Sequence, residues 1–321
     1  MSKPMKGLLI ISAFLILAIP ARPGSREFEI SYTIELGKSW EGPVKVWVPY
    51  PVEENGQKVK RGMADSTLGH ELRSEPVFGN RYFYFSGVVT AGSDTRINVR
   101  YEVERSGLKF PAKADPDLKP QELSAYRRPS SRAPTEAVWW LTAEITGGVG
   151  TPVQRARSIY EYVLKNMAYD KTGEGWGNGD LSYCLTQKKG NCTDFHSLFN
   201  SIALAADLPA RFEIGFALPT DRKSGKLGGY HCWTGVHIEG SGWLPMDISE
   251  TWKKINAGKG AVEDYFGVLD ENRVSMSRGR DIVLDPPPKS GALNYFVFPL
   301  VEINGIEVKS YSTTVEFRDL K

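Results

Sequence analysis

Gly190-Asn191-Cys192-Thr193-Asp194-Phe195-His196-Ser197-Leu198-Phe199 opens an amphipathic helix on a thiol. Phe195, Leu198, Phe199, Ile202 and Ala206 share one face of that helix, and Pro209 ends it. The first N–H groups of a helix have no partner within it, and the helix dipole is positive there. Both effects favour the thiolate, the reactive form of cysteine, at Cys192. The same N–H groups can hold a developing oxyanion. Gly190 is expected to let a substrate backbone approach closely.

A thiolate mechanism needs a proton acceptor, and of the four histidines His231 has the best setting. It follows the flexible Leu227-Gly228-Gly229 and begins an alternating run in which His231, Trp233, Gly235 and His237 share a face. Trp243, Pro245 and Asp247 share a face of the next run, beyond Gly240-Ser241-Gly242. Mirror pairing of His231 with Asp247 would centre on Glu239, slightly before that turn, so a bulge or a diagonal contact is expected. Asp247 would then fix the imidazole tautomer, giving Cys, His and Asp in chain order.

The other ionisable residues read more plainly. Asp194 suits the first turn of its helix. His196 reads as a satisfied, partly buried residue on the same helical face as Cys192. His237 reads as a surface or packing residue, and His70 has no catalytic partner. Cys232 points away from His231 in a strand and reads as core packing, with a Cys184–Cys232 disulfide left open. The spacing of Cys184 and Cys192 fits no common zinc motif, so no metal is assigned.

Outward from this centre, residues 27–110 alternate as strands, with Phe28, Ile30, Tyr32 and Ile34, then Val44, Val46 and Val48, then 82–85 and 97–103. Their spacing and turn residues predict an antiparallel β-sandwich domain. Five prolines mark residues 111–135 as a linker or surface-hugging strap. Thr151 and Pro152 predict a helix start, and Val153, Ala156, Ile159, Tyr160 and Val163 form its apolar stripe to Asn166. The glycine-rich run 173–179 reads as a lid or site loop. Residues 290–321 predict a C-terminal β-hairpin turning at Asn304-Gly305.

Three segments together carry a resemblance. Gly190-Asn191-Cys192-Thr193-Asp194-Phe195, His231-Cys232-Trp233 and Trp243-Leu244-Pro245-Met246-Asp247 resemble the signature motifs of the transglutaminase-like superfamily. Met167-Ala168-Tyr169-Asp170, Tyr265-Phe266-Gly267 and Arg278-Gly279-Arg280-Asp281 resemble stretches flanking that core in bacterial members. The resemblance covers residues 136–285. It implies an α+β fold, a papain-like transglutaminase core with a Cys192-His231-Asp247 triad, and no cofactor. Gln187 and Trp176 are candidates for the second oxyanion donor, and Trp233 for the site wall. Ile248 and Ser249 stand where the family often has Pro and Thr, and no acidic cluster suggests calcium. Members include proteases, peptide–glycan amidases and protein cross-linkers. Thiol-dependent hydrolysis of peptide or related amide bonds is the preferred expectation. Cross-linking between a Gln donor and an amine acceptor, or a silent binding scaffold, are the alternatives.

The net charge of +2 across 321 residues gives no reason to expect nucleic acid as a partner. Lys3 and Lys6 precede an apolar run from Gly7 to Ile19, which reads as a signal peptide over residues 1–21 or an uncleaved anchor. No later run is long enough for a bilayer span. The chain is therefore expected to be exported, periplasmic or secreted, and to act on a protein or peptide substrate.

Overall fold

The computed structural model describes residues 24–111 and 118–321. The leader read over residues 1–21 lies outside the described residues. Among the described residues six α-helices follow one another: α1 (Pro120–Ala125), α2 (Trp139–Thr146), α3 (Pro152–Asn166), α4 (Leu181–Gln187), α5 (Cys192–Ala205) and α6 (Ile248–Asn256). The central sheet is antiparallel, ordered 242–246, 231–238, 210–217 and 273–278.

Local chemistry sets the helix starts. Thr151 accepts from the Gln154 N–H while the Gln154 side chain accepts from Thr151 N, and Pro152 takes the first turn of α3. The expected stripe buries Ala156, Ile159, Tyr160 and Val163 against Phe195, Leu198, Phe199 and Ile202 of α5. Each such side chain contributes about 1.5–3 kcal/mol on leaving water, so α5 is clamped along its length.

Two further five-stranded sheets flank this core. Ser25–Leu36 lies between Thr95–Ser106 and Tyr311–Asp319 in one, and Gly42–Pro49 between Arg81–Val89 and Leu300–Ile303 in the other. Thr95–Ser106 shows the two-residue period directly, with every second side chain buried. The strands Gln57–Ser66 and Gly69–Ser74 carry mostly polar residues and gave no alternating signal. The turn at Asn304-Gly305 forms with both residues at positive φ, as a tight hairpin demands. The tail is more than a hairpin, however: its strands extend both flanking sheets.

One apolar cluster joins Phe28, Ile30 and Tyr32 to Val46, Phe85, Ile214, Phe216 and Val274, and reaches Cys192 itself. The flanking sheets thus pack directly under the strands that carry the site. The described part of the strap binds the core by backbone bonds, with Tyr126 O accepting from Ala210 N and Arg132 O from Leu181 N. All three cysteines are free, so the Cys184–Cys232 disulfide does not form; the Cys184 thiol instead donates to Asp194 O at 3.4 Å.

Candidate active site

Cys192 is the first residue of α5 and only 2% exposed. Asn191 caps the helix, its Oδ1 accepting from Thr193 N at 2.8 Å. Asp194 takes three backbone bonds at once, from Asn191 N at 2.9 Å, Gly177 N at 2.7 Å and Gly179 N at 2.9 Å. It therefore staples the glycine-rich loop to the helix start, a larger role than the first-turn stabiliser expected. It also explains Gly190, which has φ +153° and where a Cβ would sit 2.2 Å from the Asp194 Oδ2. The neighbouring carboxylate, rather than an approaching substrate, is what demands glycine there.

The strand pairing sets the second half of the site. His237 pairs with Trp243 and Thr234 with Met246. In that register Asp247 would face Trp233, so His231 meets it diagonally, beyond the end of the ladder. The strand also stops at Met246, one residue before Asp247, because Asp247 caps α6: its Oδ1 accepts from Glu250 N at 3.0 Å and Ser249 Oγ at 3.1 Å. Its Oδ2 accepts from His231 Nε2 at 2.6 Å and from Arg273 Nε and Nη2 at 3.0 and 2.7 Å. Five bonds hold one fully buried carboxylate. Since Asp247 occupies Nε2, the other ring nitrogen, Nδ1, is left for the Cys192 side.

Electrostatics follow from this packing. Burial alone would push the Cys192 thiol up, but hydrogen bonds from Cys232 and His231 and the imidazolium charge hold it well below the ordinary thiol range. Burial disfavours a charged His231, yet the Asp247 charge and bond outweigh this and raise it to about 9. Burial would raise Asp247, but the charges of His231 and Arg273 hold it well below the usual carboxylate range. These shifts favour a thiolate beside an imidazolium, over a paired carboxylate.

Two residues read as bystanders stand within this arrangement. Cys232 is buried with its thiol 3.5 Å from His196 Nδ1 and 3.9 Å from Thr193 Oγ1, and it hydrogen-bonds the Cys192 sulfur. The strand does point it away from His231, but toward α5, which crosses that face. Burial and the neighbouring Cys192 push its own thiol well above the ordinary range. His196 is fully buried, and its Nε2 accepts from Ile248 N at 3.1 Å, tying α5 to the start of α6. Burial lowers it to about 4 despite the pull of Asp247, so it is neutral.

The remaining expected residues separate. Trp176 is half-buried beside Gly177, with the Lys171 ammonium 5.8 Å from its ring. Gln187 is exposed at the C-terminal end of α4. Trp233 is buried against Tyr265 and Leu269, its ring 6.3 Å from that of His231. His237 is 7% exposed and packs edge-on against Trp243 at 5.4 Å.

Residues 140–248 match the transglutaminase-like superfamily. That stretch is similar to a transglutaminase-like core. A Haemophilus influenzae protein described as uncharacterized is 27% identical over 325 residues, covering 89% of this chain and 87% of that protein. Among solved structures, a candidate cysteine protease from Cytophaga hutchinsonii superposes with a TM-score of 0.60 at 14% identity, over 94% of this chain and 93% of that one. That likeness concerns the fold and extends beyond the transglutaminase-like core to the flanking sheets. The periplasmic domain of TgpA from Pseudomonas aeruginosa aligns at a TM-score of 0.37 and 11% identity, over 75% of this chain and 93% of that one.

Reading the transglutaminase-like motifs from sequence missed Arg273 and Tyr230. Tyr230 OH accepts from Asn191 Nδ2 at 3.0 Å and lies 3.2 Å from Thr193 Oγ1, so it covers the helix start. Tyr295 and Phe298 of the tail pack on its ring at 5.3 and 6.4 Å. Among the described residues no group of three or more His, Cys, Asp or Glu is arranged to hold a metal ion. No described helix is long and apolar enough to cross a membrane.

Proposed function

We propose that this chain is an exported thiol acyl-transfer enzyme that hydrolyses peptide or related amide bonds. Cys192 is the nucleophile, His231 the acid and base, and Asp247 the residue that orients the imidazole. The observation that carries the reading is the 2.6 Å bond from His231 Nε2 to Asp247 Oδ2 behind a thiol at a helix start. The Cys192 thiolate attacks the amide carbonyl, and the C=O electrons move onto oxygen. The Cys192 N–H and the positive end of α5 face that oxyanion. When the C=O re-forms, the C–N bond breaks and His231 Nδ1–H protonates the departing amine. Water then attacks the thioester, giving its proton to His231, and the acid and free thiol are released. An amine in place of water would make the same site a cross-linker.

The test compares wild type with Cys192→Ala, His231→Ala and Asp247→Asn on fluorogenic peptides, with and without an amine acceptor. Turnover should vanish in Cys192→Ala. It should fall by about four to six orders of magnitude in His231→Ala, the range of losses when one triad member goes. Iodoacetamide should label Cys192 rapidly at pH 6, and more slowly without His231. Labelling that stays slow until pH 8–9 and ignores His231 would leave the silent-scaffold reading in its place.

A further inference from the structure

The α5 helix has a second face. Cys192 and His196 point to the triad, whereas Ser197, Asn200, Ser201 and Leu204 recur at helical spacing on another side and line a cavity of about 310 Å³. That volume lies in the range of small-ligand sites. Phe78, Tyr126, Leu204 and Phe212 give it apolar walls, and Arg280 closes one side. Arg280 is 8% exposed. Its four hydrogen bonds all go to neutral oxygens: Nε to Asn294 Oδ1 at 3.0 Å, Nη2 to Asn178 O at 2.7 Å and to Asn294 Oδ1, and Nη1 to Ser197 Oγ, which leaves one of the five donors over. Among the described residues no carboxylate stands within ion-pair distance of it. Asp281, which lines the same cavity and acts on Arg280 only through its more distant charge, has its oxygens taken by the N–H and hydroxyl of Ser131. A buried guanidinium without an opposing charge is costly, because burial disfavours it and lowers its proton affinity here. Arg128, exposed on the same lining, adds a second positive charge.

The geometry points to this cavity as a binding site for a compact carboxylate with an apolar or aromatic tail, such as the free end of a peptide finishing in an apolar residue. The carboxylate supplies the charge that Arg280 lacks, and the tail fills the walls between Tyr126 and Phe212. Bound there, it touches the site indirectly. Asn178, which accepts from Arg280, belongs to the glycine-rich loop that Asp194 staples to the start of α5.

Binding is measured by calorimetry on Cys192→Ala protein, so that it is independent of turnover and of the reading of the triad. The probes are N-acetyl-phenylalanine, its neutral amide and 3-phenylpropionate. N-acetyl-phenylalanine should bind at least tenfold more tightly than the amide. Leu204→Trp, which fills the cavity, should abolish binding, and Arg128→Glu should weaken it while leaving the melting temperature unchanged. Comparable binding of 3-phenylpropionate assigns the site to free carboxylic acids as well, and its failure assigns it to peptide ends. Equal affinity for acid and amide, no binding of either acid, or binding untouched by Leu204→Trp would overturn the assignment.

Discussion

Asp247 stands between two cations, and removing one of them should move the other's titration in a calculable direction. His231 Nε2 and Arg273 Nη2 both bond to the same Oδ2, at 2.6 and 2.7 Å, so the two nitrogens are at most 5.3 Å apart. At an effective dielectric of about 20, two unit charges at that separation repel by about 3 kcal/mol, or about 2 pH units. Arg273→Gln removes the repulsion, so the imidazolium becomes easier to keep and His231 should titrate about 1–2 units above its value of about 9, once water admitted to the site is allowed for. Arg273 makes no bond to Cys192, so the thiolate should lose a smaller stabilisation and its lower midpoint should rise less. Both limbs shift alkaline. Iodoacetate reports them, because its rate rises as the thiolate forms and falls as the imidazolium that attracts the reagent is lost. Arg273→Lys, which keeps the charge, should restore much of the wild-type profile. A merely structural arginine would lower the fraction of native protein without moving either midpoint. An alkaline limb that stays near pH 9 or moves down in Arg273→Gln would refute the reasoning.

Other perturbations have equally definite signs. His196 is depressed to about 4 in the folded chain against an ordinary value of 6.5, so the unfolded chain binds more protons between those values; stability should be full above pH 6.5 and fall by about 3 kcal/mol as pH drops to 4, measured by urea midpoints, with the slope reduced in His196→Gln. Asp194→Asn replaces one oxygen that accepts backbone N–H groups with a donor; it should cost about 2–4 kcal/mol and slow Cys192 labelling, since the glycine-rich loop loses its anchor. Cys232→Ala removes a donor to the Cys192 sulfur and should raise the lower labelling midpoint by about 1 unit, with Cys232→Ser restoring it.

The candidate site residues were legible because their chemistry is local: a thiol at a capped helix start, and a histidine before a strand pair whose turn is marked by glycines. The diagonal meeting of His231 and Asp247 was foreseeable from the turn position alone. Arg273 was not, because it arrives from Arg273–Arg278, a strand placed beside the others only by sheet order. The end of the strand before Asp247 did carry a signal: Asp247-Ile248-Ser249-Glu250 is a helix-capping pattern, and α6 starts there. Cys232 packs in the core as expected, but its bond to the Cys192 sulfur was not legible, because alternation tells which side of a strand a residue faces and not what crosses that side. The polar strands Gln57–Ser66 and Gly69–Ser74 lie at sheet edges, where one face needs no apolar residues.

The tail bears on the site more than its distance in sequence suggests. Tyr311–Asp319 pairs with Ser25–Leu36 across nine residues and Leu300–Ile303 with Gly42–Pro49, so ladders in both flanking sheets hold the segment before them. That segment carries Asn294, Tyr295 and Phe298 to Arg280 and Tyr230. Cys192 is 2% and His231 6% exposed, so under the proposed function a peptide would need part of the site around them to open. Tyr230 is the natural point of give, since its hydroxyl is held by two bonds to residues at the start of α5, Asn191 and Thr193. Tyr230→Phe would release those bonds while keeping the apolar cover. The flanking sheets therefore do more than stabilise the core: they hold the segment whose Tyr295 and Phe298 pack on Tyr230 at the start of α5.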